Sequence, residues 1–143
     1  MHYLTRRKTF NAAHKLFVPD WSEEKNRAVF GKCSNANWHG HNYVLFVTVA
    51  GHPDPLTGYV MDAKKLSDLI EDTVVGDLDH SNLNLDVPWM PTDRLPTTEN
   101  IVSAIWGRLE APVNALGAAR LYSVRLYETE NIYAEYFGPA GKQ

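Results

Sequence analysis

Between residues 39 and 51 the chain reads HGHNYVLFVTVAG, and in an extended segment His39, His41, Tyr43, Leu45, Val47 and Val49 share one face. The Val, Tyr and Phe content and the stop at Gly51 and Pro53 predict a strand with both histidines pointing the same way. Residues 3–14 also suit a strand. Helical periodicity takes over at Asp62, an N-cap for a helix running to about residue 75 with an apolar stripe of Leu66, Leu69, Ile70 and Val74. A second helix is predicted after PTTEN, capped by Thr98 and buried through Ile101, Ala104, Ile105 and Leu109. RLYSVRLYE (residues 120–128) returns to strand, a turn follows near Glu130 and Asn131, and the chain runs out through IYAEYFG. Two strands, two helices and two strands predict an α+β fold, an antiparallel four-stranded sheet with both helices on one face. The other sheet face carries many aliphatic and aromatic side chains and is expected to be covered by other subunits.

The 143 residues, 44% of them hydrophobic, fit one domain over 1–143, with GHPDPLTG and DVPWMP as turns inside it rather than linkers. No run approaches the roughly 20 apolar residues of a membrane span, and MHYLTRRKTF lacks the apolar core of a secretory signal. A cytoplasmic protein with no membrane partner is expected. The net charge of −3 argues against nucleic acid as a partner. An anionic ligand would need a local cluster, and Arg27 with Lys32, just before the cysteine, is one; each alone reads as a solvated surface charge.

His39 and His41 can both reach a single ion, and Gly40 between them leaves room for close backbone approach. Zinc suits convergent imidazoles without a thiolate cluster, and His14, at the end of FNAAH, is the candidate third ligand. Three protein ligands leave a fourth position for water or substrate, as in catalytic sites. Five residues separate Cys33, the only cysteine, from His39, so it could close the metal shell or stand beside it as a free thiol. Spacing along the chain leaves both open. In GDLDHSNLN, Asp79 adjoins His80, a pair able to relay a proton if the side chains touch, and otherwise a polar helix stop. Glu128 falls by alternation on the side of Tyr122, Val124 and Leu126, where a carboxylate needs a partner: a buried arginine or the amidine edge of a ligand. Trp38, Trp89 and Trp106 read first as packing residues.

Taken together, FNAAH, VFGKCSNANWHGHNY, LDHSNLNLDVP, PTTEN and YETEN resemble, in order and spacing, the motif series of the 6-pyruvoyl-tetrahydropterin synthase family. That resemblance covers nearly the whole chain and implies a tunnelling fold, in which trimers close their sheets into a barrel and two trimers stack into a hexamer. It implies a lyase acting on 7,8-dihydroneopterin triphosphate, with zinc held by His14, His39 and His41 and magnesium alongside. It further implies Cys33 as general base, Asp79 and His80 as its relay, and Glu128 and Thr98 as pterin-binding residues, in a site shared between subunits. The gap between Cys33 and HGH resembles the pyruvoyl-forming members. The alternative is the 6-carboxytetrahydropterin synthases of queuosine synthesis, which release acetaldehyde; a non-catalytic zinc- or pterin-binding protein is a third reading. Trp38 departs from the family pattern, which commonly has a small residue before HGH.

Overall fold

The computed structural model describes residues 1–141. Its centre is a two-strand ribbon in which β1 (His2–His14) runs antiparallel to β2 (His39–Gly51), in unbroken register from His2 opposite Gly51 to His14 opposite His39. β2 also pairs with β4 (Arg120–Thr129), which turns through residues 130 and 131 into β5 (Ile132–Tyr136). One strand more than predicted is present: β3 (Ser81–Asn82) pairs parallel to β1 at Ala12 and Ala13, giving the order β3-β1-β2-β4-β5. Two residues of SN carry no strand periodicity, and the pairing is imposed by β1.

The expected helices form, with different ends. Asp62 caps α2 (Ala63–Ile70), its side chain accepting from the amides of Lys64 and Lys65. The helix continues past residue 75 through a widened π-type turn (Glu71–Val75) into α3 (Gly76–Leu78). There a Cβ on residue 76 would stand 3.1 Å from the Glu71 carbonyl, so glycine permits the tight passage. α4 (Thr98–Asn114) is capped by Thr97 rather than Thr98: the Thr97 hydroxyl accepts from the Asn100 amide at 3.4 Å, and Thr98 is already helical. Pro112 lacks the amide for its turn, and the helix ends two residues later. Thr97→Ala is expected to cost about 0.5–1 kcal/mol, the low end for a cap given its long bond, read as a lower urea midpoint.

α4 packs on β4 and β5, and α2 on β1 and α4, so both lie on one sheet face. Between them and the sheet are buried Tyr43, Leu45, Val47 and Val49 of β2, Leu66 and Ile70 of α2, Ile101, Ile105 and Leu109 of α4, and Leu126 of β4. A third helix, α1 (Glu23–Phe30), was not apparent in the hydrophobic pattern and packs on a 3-10 turn (Gly31–Ser34) beyond the end of the sheet. Its one buried side chain, Asn26, bonds both the amide and the carbonyl of Val18 and so fixes the chain that leaves β1.

Tyr122 corrects the reading by strict alternation. The β2–β4 register shifts between Thr48 and Val49, so Leu121 turns into the core while Tyr122 packs at a tilt on Tyr3 and edge to face on Phe137. Val124, Leu126 and Glu128, beyond the shift, keep one face. The helix-free face carries Val44, Phe46, Tyr127 and Tyr133 together with Arg7 and Arg125, and a groove of about 660 Å³ runs along it. Among the described residues, no helix is long and apolar enough to cross a membrane.

Candidate active site

His14 and His39 are cross-strand partners on the last rung of β1 and β2, and His41 follows two residues on. Alternation therefore brings three imidazoles to the helix-covered face at one end of the sheet. Their ring centres stand 4.5, 5.0 and 5.1 Å apart, each pair edge to face. One nitrogen from each can be chosen so that all three lie within 4.8 Å of one another. The Sγ of Cys33 is not in that set. Gly40 permits the approach: a Cβ there would meet the Ala12 carbonyl at 3.3 Å.

The protons on these rings are set by their neighbours. His14 is fully buried, and its Nδ1–H donates to the Pro96 carbonyl at 2.8 Å, which leaves Nε2 as a bare lone pair. His14 Nε2, both nitrogens of His39 and His41 Nε2 are buried without a hydrogen-bond partner. Burial first, then the neighbouring imidazoles, hold His14 and His39 below the usual histidine range, so both stay neutral near pH 7. Three convergent imidazoles, with His14 Nε2 and His39 free of hydrogen bonds, are a donor set that fits a transition-metal ion.

Glu128 reaches the same centre from β4. Its Oε1 lies 3.3 Å from His41 Nε2, and its Oε2 accepts from the Thr98 hydroxyl at 2.5 Å. Thr98 thus serves the site through Glu128 and not as a helix cap. Tyr43, two residues beyond His41 and stacked on Phe10, places its hydroxyl 3.5 Å from His14 Nδ1. Burial, then the nearby Glu128 and Cys33, push that hydroxyl far above its usual pKa, so it remains protonated. Tyr43 and the Pro96 carbonyl had not been singled out from the sequence. Alternation from His41 pointed to the first, while a main-chain carbonyl 82 residues from its partner leaves no sequence signal.

Cys33 is half-buried in the 3-10 turn, and its carbonyl accepts from the Leu16 amide at 2.8 Å, tying the turn to the chain just after His14. Asp79 and His80 do touch: Asp79 Oδ2 lies 2.9 Å from His80 Nδ1, and Asp79 Oδ1 accepts from the Asn11 amide at 2.8 Å. That amide, then the imidazole, hold the Asp79 carboxyl below its usual range. His80 has a left-handed backbone (φ 60°) and a side chain 79% exposed, beside Asn11, Asn42 and His41. Within one chain, no hydrogen bond joins this pair to Cys33 among the described residues. Of the tryptophans, Trp106 packs in the core, Trp89 donates to Asp77, and Trp38 stands beside His39 with φ 66°.

Residues 3–139 match the family model for 6-pyruvoyl tetrahydropterin synthase. The chain is 43% identical over 135 residues to the human protein named 6-pyruvoyl tetrahydrobiopterin synthase, covering 94% of this chain and 90% of that one. It is 44% identical, over the same shares, to the protein of that name from Pongo abelii. Among solved structures, the Caenorhabditis elegans 6-pyruvoyl tetrahydropterin synthase superposes with a TM-score of 0.84 at 33% identity, covering 96% of this chain and 95% of that one.

Proposed function

The chain belongs to the 6-pyruvoyl tetrahydropterin synthase family, and from that premise we propose that it is a zinc-dependent carbon–oxygen lyase. Its substrate is 7,8-dihydroneopterin triphosphate, and its products are 6-pyruvoyl-tetrahydropterin and triphosphate. The observation that carries this reading is the open triad: three imidazole nitrogens that converge within 4.8 Å, with the Glu128 carboxylate reaching His41 and the free Cys33 thiol outside the ligand set.

His14, His39 and His41 would hold the zinc, and no protein group needs to fill the fourth position. When bound, the ion supplies Lewis acidity toward the hydroxyl oxygens of the substrate side chain. Glu128 orients the pterin by accepting from its amino-pyrimidine edge, a pairing of two parallel hydrogen bonds. Thr98 keeps the Glu128 carboxylate turned toward the ligand by occupying Oε2. The Cys33 thiolate removes a proton from the side-chain carbon next to a hydroxyl. From the carbon attached to the ring that electron pair passes into the C6=N5 bond, which takes up protons to reach the tetrahydro level and leaves a ketone. At the next carbon a second deprotonation drives out the triphosphate, and the resulting enol becomes the second ketone by proton transfer. Asp79 and His80 carry protons for this exchange: Asp79 fixes Nδ1 of the imidazole, and Nε2 is the free exchanging atom.

His80 stands on the open side of β1, so its relay is read as serving the Cys33 of another copy of the chain. The aromatic and aliphatic groove on the helix-free face is then covered by neighbouring copies, in a barrel of three and a hexamer of two such barrels. Light scattering is expected to give a trimer or a hexamer; a stable, active monomer overturns the shared site. Mass analysis of the product tests the reaction itself. 6-Pyruvoyl-tetrahydropterin with free triphosphate is expected, and a carboxylated pterin with acetaldehyde overturns this assignment.

Glu128→Gln replaces an ion-assisted pair by neutral contacts, a loss of roughly 1.5–3 kcal/mol, so KM should rise about 10- to 100-fold with metal content unchanged. Equal KM for the variant and the wild type would remove Glu128 from the pterin pocket.

A further inference from the structure

Lys15 directly follows His14 and Trp38 directly precedes His39, just outside the last pair of the β1–β2 ladder. Asn84 clamps the Lys15 backbone from both sides, accepting from its amide and donating to its carbonyl, each at 3.0 Å. The Lys15 ammonium sits 4.5 Å from the centre of the Phe17 ring and 5.6 Å from that of Trp38. Two aromatic faces position a cation without neutralising it, and they leave its N–H donors free. Among the described residues, Lys15 makes no ion pair. Trp38 has a left-handed backbone, which a bulky side chain rarely adopts, so its place beside Lys15 is held by its surroundings at a cost in strain.

Lys15 and Phe17 line a cavity of about 150 Å³ together with Glu23, Arg27, Ser34 and Ala36. Arg27 also has no ion-pair partner among the described residues, and Glu23 bonds neither cation. Asn26 pins α1 to the chain leaving β1, which fixes Arg27 relative to Lys15. Ser34 belongs to the same turn as Cys33, and the Leu16 amide joins that turn to the residue after Lys15. Two unpaired cations therefore face one small cavity that opens between the triad strand and the thiol turn.

We propose that Lys15, held between Phe17 and Trp38, forms with Arg27 a subsite for phosphate oxyanions that receives the polyphosphate end of the substrate. The source of that polyphosphate rests on the substrate proposed above. Lys15 and Arg27 touch the anion, and Trp38 is a positioning residue that acts through Lys15. An arrangement of this kind holds the leaving group near the base and shields the charge that develops as it departs.

Calorimetric titration with inorganic tripolyphosphate, and separately with unphosphorylated neopterin, tests the subsite. Lys15→Gln should weaken tripolyphosphate about tenfold, the loss of one charge-assisted contact, while neopterin binds as before and Lys15→Arg restores the anion. Arg27→Gln, at an exposed helical position, should give the same selective loss. Trp38→Gly should bind tripolyphosphate about threefold more weakly yet melt at a higher temperature, because glycine is unstrained at this φ. A role confined to structure would not move those two readouts in opposite directions. Unchanged tripolyphosphate affinity in Lys15→Gln and Arg27→Gln overturns the subsite, as does equal weakening of tripolyphosphate and neopterin. A wild type that binds tripolyphosphate through Lys15 but leaves dihydroneopterin triphosphate intact would refute the lyase and leave the subsite standing.

Discussion

Cys33→Ala is expected to keep its metal and to turn over about a thousandfold more slowly, since a positioned general base contributes roughly 10²–10⁴ in rate. Metal retention follows from geometry, because the three imidazole nitrogens converge within 4.8 Å of one another without the Sγ of residue 33. Folding should survive as well: what residue 33 gives the fold is its carbonyl, which accepts the Leu16 amide, and alanine supplies the same atom. Cys33→Ser is a sharper test. It preserves size but replaces an ionisable thiol by a hydroxyl that does not ionise in the working range, so turnover should stay close to the alanine value. Metal content by plasma emission and kcat for dihydroneopterin triphosphate settle the matter together. If Cys33→Ala lost its metal, the thiol would be a ligand and the base would have to be sought elsewhere.

What the sequence made legible was periodic. His39 and His41 are two apart on a strand whose aliphatic alternation is unambiguous, so their shared face followed before any coordinates. Glu128 was found by the same reasoning, and the register shift in β4 spared it because the shift lies upstream, at Tyr122. Elements without a period stayed hidden. α1 buries only Asn26 and has no apolar stripe, and β3 is two residues long and borrows its pairing from β1. The choice between Thr97 and Thr98 as cap depended on Glu128, thirty residues beyond Thr98, which claims the second hydroxyl. The Pro96 carbonyl, which sets the tautomer of His14, is a main-chain atom that any residue would supply.

These features bear on one another at the site. The π-type turn carries the chain from α2 into α3 and to Leu78, which is buried, and releases Asp79 beside Asn11. The Asn11 carbonyl then receives the His80 amide at 2.7 Å, and the left-handed backbone of His80 turns its side chain out of the chain's own core. Strain at His80 and at Trp38 thus falls on two residues adjacent to the proposed chemistry and absent from the core, where stored strain would serve no purpose.

His14→Ala should release the metal and abolish turnover, and its effect on the metal-free protein should itself depend on pH. Wild type is expected to take up about one zinc per chain, and the variant none at stoichiometric zinc, since two imidazoles lack the third anchor of a tetrahedral site. Without metal, the substitution leaves the Pro96 carbonyl without its donor, a cost of about 1–3 kcal/mol, and vacates space beside Tyr43. The pH term has a definite sign. Burial holds the folded His14 below its usual range, whereas the unfolded chain protonates the same group near pH 6.5. Below that pH the unfolded state therefore binds a proton that the folded state refuses, and wild-type stability falls as pH falls through this window. The variant lacks His14 and should fall less steeply. The destabilisation caused by His14→Ala should then be largest at pH 7.5 and smaller at pH 5.5, read as the difference between urea midpoints of the two metal-free proteins. A difference that stayed constant or grew toward pH 5.5 would mean that His14 is not held neutral by burial, and the lone pair assigned to the metal would be in doubt.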